Sequence, residues 1–340
     1  MGDLIALVYA ALWIVAANSD KPAFTTAVHE VAGGFSSAIA SWNVSTSGDA
    51  WIGVQMRARV GDRWTRWYDM GHWSSALDDG HRHSIDKQTD ADGEVDTDTL
   101  NLIHPATAVQ VRADLHPSSA GTMPQLRMLA VTTDSGAQAS QSDAMAADVG
   151  AWGTDIDVPQ LTQRVGSRGG AYGGGGGSWC SPTSVAMVMG YWAHKLDKPQ
   201  WVVDVPTAAK GTYDPVYDGC GNWPFNVAYA SEHGLAGYIE RLSSLAQVER
   251  LVKRGIPVIA SIKVAQGELD GTPYGTTDGH LLVVRGFTAD GDVIVNEPDG
   301  DLGAIRRIYK RAQFAHVWQH GSHGAVYIIA PPQDLPHQPI

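Results

Sequence analysis

A run of five glycines, residues 173–177, gives way to Ser178 and a Trp-Cys pair, and Ser181-Pro182 then opens the apolar segment T-S-V-A-M-V-M-G-Y-W. Proline fits the first turn of a helix, where its missing N–H is not needed and its fixed φ is already helical. The spacing of Val185, Ala186, Met189 and Trp192 predicts a helix from Cys180 to about residue 195. Cys180 then lies at the helix start. The unpaired N–H groups and the positive dipole end there favour negative charge on sulfur. Cys180 is therefore a candidate nucleophile, and it demands a base, an orienting group and oxyanion donors elsewhere in the chain.

The chain around this helix changes character once. Residues 21–134 carry short alternating runs at 50–59, 64–70, 108–115 and 125–132, separated by Gly, Asp and Pro, with a hairpin turn expected at Gly61-Asp62. This predicts an all-β domain, a sandwich or jelly roll. Trp42, Trp51, Trp64, Trp67, Tyr68 and Trp73 lie in it. Core packing is the preferred reading for them, and a stacking platform for a glycan or a protein ligand is the alternative. Residues 135–155 are expected to be a linker, because Ser, Ala, Gln and Asp dominate their first part. From 156 to 340 the pattern turns to helices at 180–195, 222–233 and 243–254, then strands at 256–264, 280–287, 293–296, 304–309 and 325–330, with a short helix at 311–319. The fold class is α+β, in two domains, which 340 residues accommodate.

Composition excludes several functions. Net charge is −12 without basic clusters, which argues against a nucleic-acid partner. Hydrophobic content of 44% against 18% charged residues excludes a disordered chain. No cofactor is implied, and no metal set has convincing spacing: His81-Arg82-His83 is too little, and D-A-D-G at 90–93 reads as a solvated turn. Cys180 and Cys220 are the only cysteines and read as two free thiols rather than a bridge. The apolar run 4–17 is too short for a membrane span. It has the length of a signal-peptide core, although Asp3 replaces the usual basic residue; a buried first strand or helix is the alternative.

His280 opens an apolar strand after Asp278-Gly279 and is the candidate base. Its orienter is expected on the next strand, past a tight turn. Asn296 is the choice, with Glu297 and Asp299 as alternatives; Asn296 and Glu297 point to opposite faces, so one of them serves. The backbone N–H of Cys180 supplies one oxyanion donor. Gln163 is chosen for the second, with Gln160 as the alternative. The glycine stretch 169–177 is expected to be a flexible surface loop, with a lid beside the nucleophile as its functional alternative, and residues 213–223 are expected to line the cleft.

W-C-S-P-T-S, G-H-L-L-V-V-R-G-F and V-I-V-N-E-P, in that order, resemble the papain-like cysteine peptidases, in the branch related to bacteriocin double-glycine leader peptidases. The resemblance spans about 158–331. It implies a papain-like fold and hydrolysis of a peptide or protein through a thioester. It assigns Cys180, His280, Asn296 and Gln163 to nucleophile, base, orienter and oxyanion donor. Relatives often carry Asn-Asp-Pro where this chain has Asn-Glu-Pro, which keeps Glu297 open as orienter. F-S-S-A-I-A-S-W-N and W-Y-D-M-G-H-W-S resemble the β-rich N-terminal region of some exported bacterial relatives, which implies secretion. A related amidase, transglutaminase or acyltransferase, and a non-catalytic peptide-binding module on the same fold, are the alternatives.

Overall fold

The computed structural model describes residues 12–19, 21–77, 80–134, 146–165 and 170–336. The N-terminal part is antiparallel β throughout. Its strands are β1 (Leu12–Ser19), β2 (Ala23–Thr25), β3 (His29–Ser45), β4 (Trp51–Val60), β5 (Arg63–Trp64), β6 (Tyr68–Trp73), β7 (Gln88–Thr89), β8 (Gly93–Asp96), β9 (Thr99–His116) and β10 (Gln125–Thr133). The alternation that predicted them is visible in β4. Ile52, Val54, Met56 and Ala58 are buried, while Gln55, Arg57 and Arg59 are partly exposed between them. Each fully buried Ile, Val or Met contributes about 1.5–3 kcal/mol. The Gly61-Asp62 turn forms as expected: Val60 pairs with Arg63, and Gly61 has φ +59°.

All ten strands belong to one hydrogen-bonded sheet, with the main order β1-β10-β3-β9-β4-β5. A sandwich implies two separate sheets. Here the long strands β3 and β9 instead pair with register shifts, one between Glu30 and Phe35 and another between Phe35 and Ser37. Such bulges bend a single sheet over its own core. Trp42, Tyr68 and Trp73 are fully buried, Trp42 and Trp73 with their rings against Phe225 of the C-terminal part. Trp64 and Trp67 sit partly exposed with the Arg57 guanidinium over both rings, 4.5 and 4.6 Å from the centroids. In the D-A-D-G turn, Asp90 accepts from Tyr68 Oη and from the N–H groups of Asp92 and Gly93. Arg66 and Arg63 pair with Asp90 and Asp92.

The described part of the run 4–17 is strand β1, paired with β10; residues 4–11 lie outside the described residues. So do 135–145 of the expected linker. Its remainder is docked: Asp148 N–H and Trp152 Nε1 both donate to Glu249 at 2.7 Å, and Asp155 pairs with Arg285 and Arg306.

The C-terminal part has a tight turn α1 (Ala171–Gly174) with Tyr172 and Gly173 at positive φ, then α2 (Cys180–Leu196), α3 (Val205–Thr212), α4 (Trp223–Glu232), β11 (Ala236–Arg241), α5 (Leu245–Lys253), β12 (Val258–Val264), β13 (Thr277–Phe287), β14 (Val293–Asn296), β15 (Arg306–Tyr309), α6 (Arg311–Ser322) and β16 (Ala325–Ala330). The strands form a six-stranded antiparallel sheet in the order β11-β16-β12-β13-β14-β15. Helix α2 is buried from Ser181 to Ala193 and packs on β13 and β16. No described helix is long and apolar enough to cross a membrane.

Helix α3 and strand β11 were not expected. Asp204 caps α3 by accepting from Thr207 N–H, with Pro206 in the first turn. Strand β11 is the edge of the second sheet, and its free N–H groups are capped by side chains of the first. Asn43 accepts from Gly237 N–H and donates to Gly237 C=O, Ser41 accepts from Ile239 N–H, and Thr132 accepts from Arg241 N–H. These donors recur every second residue, as the pleat requires. The contact protects an edge that would otherwise template association. Arg82 reinforces the seam, donating to the carbonyls of Lys210 and Gly211.

Candidate active site

Cys180 is the first residue of α2, and no side chain caps that helix. The glycine run ahead of it is packed in its middle, where Gly175 and Gly176 are buried, and returns to the surface at Gly177. A Cβ on Gly173 would come within 2.5 Å of Gly219 Cα, and one on Gly176 within 2.5 Å of Gln163 C=O. Glycine is required at both positions because two neighbouring backbones press against the run. The run thereby brings segment 163–165 and the loop around Gly219 up to Cys180. Gly169 lies outside the described residues.

His280 enters from β13, opposite Ile262 of β12, and is 5% exposed. Its Nε2 is 2.5 Å from Glu297 Oε1. That oxygen also accepts from Asp299 N–H at 3.0 Å, and Oε2 accepts from Tyr274 Oη and Tyr309 Oη, both at 3.1 Å. Glu297 is fully buried. With Nε2 committed to the carboxylate, Nδ1 is the ring nitrogen left for the sulfur, and Cys180 is near enough to His280 to raise its pKa. Both line one cleft of about 960 Å³.

Asn296 is not at the imidazole. Its side chain points to the opposite face, where Nδ2 donates to Val158 C=O and Pro159 C=O at 3.1 and 3.0 Å and Oδ1 accepts from Arg285. The pleat of V-I-V-N-E-P puts consecutive side chains on opposite sides, and the His280 side belongs to Glu297. Asn296 instead ties down the segment that leads to Gln163. Gln163 reaches the cleft, where its Nε2 donates to Asp299 Oδ1 at 3.2 Å and to Gly177 C=O at 3.4 Å; its buried Oε1 has no partner. Gln160 is exposed and does not line the cleft. Asp299 is held by Arg164 and does not touch His280.

Residues 155–326 match the family model described as Peptidase_C39 like family, and residues 17–134 match the one described as Peptidase C39 N-terminal domain. The chain belongs to the Peptidase_C39-like family. Its second unit has a cysteine peptidase-like fold. No curated protein matches the chain.

The electrostatics of the C39-like unit favour an imidazolium–carboxylate pair. Burial opposes charge on His280, but the Glu297 carboxylate beside it and the nearby Cys180 outweigh that, and its pKa is pushed up to about 10. Burial likewise opposes charge on Glu297, yet His280 and the donors around the carboxylate hold its pKa below the usual range. The two shifts are opposite in sign and both favour the charged forms, as expected for one buried pair. Cys220 also lines the cleft, but burial pushes its thiol up to about 12. It donates to Tyr172 C=O and Ala209 C=O and is not bridged to Cys180. Residues 217–221 and Trp223 line the cleft as expected. Among the described residues, no three His, Cys, Asp or Glu are grouped to hold a metal.

Sequence reasoning missed Tyr274, Tyr309 and the turn between β8 and β9, whose Asp96, Thr97 and Asp98 form a wall of this cleft. Asp98 is fixed there by Trp223 N–H at 2.6 Å and by Thr99 Oγ1. Nothing local marks these residues: Tyr274 lies in the loop before β13, Tyr309 on β15, and the Asp96–Asp98 turn in the N-terminal unit.

The two neighbours on V-I-V-N-E-P are expected to separate by phenotype. Asn296→Ala strips a donor from two carbonyls and an acceptor from a buried arginine, so it is expected to cost about 3 kcal/mol of stability in chemical denaturation. Unchanged stability would contradict the bracing role.

Proposed function

We propose that the chain is a cysteine peptidase that hydrolyses peptide bonds at Cys180. The reading is carried by one observation: His280 Nε2 is engaged by a buried carboxylate at 2.5 Å, which leaves Nδ1 for the sulfur. Cys180 Sγ attacks the scissile carbonyl carbon, and the charge moves to its oxygen. The Cys180 backbone N–H and the Gln163 amide are the proposed donors to that oxyanion, the second by rotation away from Asp299. The tetrahedral centre collapses to a thioester as the C–N bond breaks, and the His280 imidazolium gives its proton to the leaving amine. Water then attacks the thioester, neutral His280 takes its proton, and Cys180 is released. Glu297 keeps the ring in the required tautomer and stabilises its charged form, while Tyr274 and Tyr309 hold Glu297.

The test is a digest of a peptide library, analysed by mass spectrometry, with the protein untreated and after alkylation of Cys180 by iodoacetamide. Cleavage by the untreated protein alone is the expected result. Equal cleavage by both, or by neither, contradicts the reading.

A further inference from the structure

The catalytic pair occupies one end of a longer edge. His280 of β13 is level with Ile262 of β12, β12 is bordered by β16, and Ala325 of β16 pairs with Arg241 of β11. Arg241 therefore lies at the same end of the sheet, three strands from His280. At about 4.8 Å per strand this is about 14 Å, or about four residues of extended peptide. Lys263 and His323 line the cleft along the way, and Arg241 lines its far end, against the N-terminal unit.

Arg241 is 5% exposed. Its Nη2 donates to Ser37 Oγ of β3 at 3.1 Å, but Nε and Nη1 have no hydrogen-bond partner. It forms no ion pair among the described residues. Asp98 and Asp134 are the carboxylates whose fields reach it. Both are engaged elsewhere: Asp98 by Trp223 N–H and Thr99, Asp134 by the N–H groups of Ser36 and Ser37. A buried guanidinium with two free donors is costly unless an acceptor completes it, and a planar carboxylate matches its fork.

We propose that Arg241 is the carboxylate-binding group of this cleft. It receives a peptide carboxylate about four residues from the scissile bond, either the chain's own C-terminus or an acidic side chain. Strand β3 of the N-terminal unit holds the guanidinium in place, so that unit takes part in substrate selection. The proposal rests on the peptidase reading for the identity of its ligand as substrate, and the test separates the two.

Full-length Cys180→Ala protein is mixed with a pool of random octapeptides bearing free C-termini and, separately, with the same pool amidated. Retained peptides are read by mass spectrometry. Carboxylate-bearing peptides are expected to be enriched on the order of tenfold. Enrichment of free over amidated C-termini identifies the terminus as the source. Enrichment of Asp or Glu at one position of the amidated pool identifies a side chain. Adding Arg241→Gln is expected to abolish the enrichment. Should that variant fail to fold, as read by thermal melting, Arg241→Lys keeps the charge without the fork and is expected to reduce the enrichment several-fold. Retention of neither pool, retention of carboxylates and amides alike, or enrichment unchanged by these substitutions overturns the proposal. If the unsubstituted protein leaves the retained peptides uncut, the peptidase reading fails while the carboxylate preference stands.

Discussion

Cys180→Ala is expected to lower peptide hydrolysis by about 10⁴-fold or more, to background. The substitution removes the atom that forms the thioester in the proposed mechanism. His280 alone then has only water to activate, and the imidazolium–carboxylate pair favours a proton donor over a base. Binding should survive, because Cys180 is one of many residues along the cleft. A parallel loss of binding would mean that the helix start had rearranged. Cys220→Ala is the matched control: its sulfur is buried, raised to about 12 and occupied by two carbonyls, so cleavage should change little.

Glu297→Gln is expected to cost about 10³-fold in kcat, with a smaller change in KM. The amide nearly preserves volume but removes the charge that outweighs burial at His280. It also presents a donor as readily as an acceptor to Nε2, which permits the wrong tautomer. The pH dependence follows from the shifts. His280 is raised to about 10, so the alkaline limb of hydrolysis, where the imidazolium is lost, is expected near pH 10. Without the carboxylate, only Cys180 opposes burial and that limb moves to lower pH. For stability the same pair has a defined window. The raised His280 contributes fully below 6.5 and loses its contribution as pH rises through about 10; the lowered Glu297 contributes above 4.5 and loses its contribution as pH falls through its depressed value. Stabilisation by the pair is therefore greatest between about pH 4.5 and 6.5 and declines toward pH 10. An activity profile identical in Glu297→Gln and the unsubstituted protein would contradict the orienting role.

The sequence made the helix of Cys180, the strand of His280 and the family legible, because each is a local pattern. The apolar run after Pro182 has one helical solution, and G-H-L-L-V-V-R-G-F has the composition of a buried strand. The choice between Asn296 and Glu297 was not legible. Alternation says that one of them faces His280 but not which, since the phase is set by how β14 packs between β13 and β15. The glycine run read as slack chain because the backbones that press on it, at Gln163 and Gly219, are brought there by other elements. Strand β11 was missed for a related reason. A-G-Y-I-E-R carries a glycine and buried polar residues, and its edge is satisfied by Asn43, Ser41 and Thr132 from about 100 or more residues away. The N-terminal sheet is thereby an integral wall of the second unit, both at this edge and at the Asp96–Asp98 turn beside the cleft.

The most direct measurement is the rate at which iodoacetamide alkylates Cys180 near neutral pH, in the unsubstituted protein and in Glu297→Gln, with cysteine in an unfolded peptide as reference. The Cys180–His280–Glu297 arrangement predicts a rate at least about tenfold above the reference that falls toward it in Glu297→Gln. A rate no faster than the reference, or one unaffected by Glu297→Gln, would contradict an activated nucleophile at Cys180.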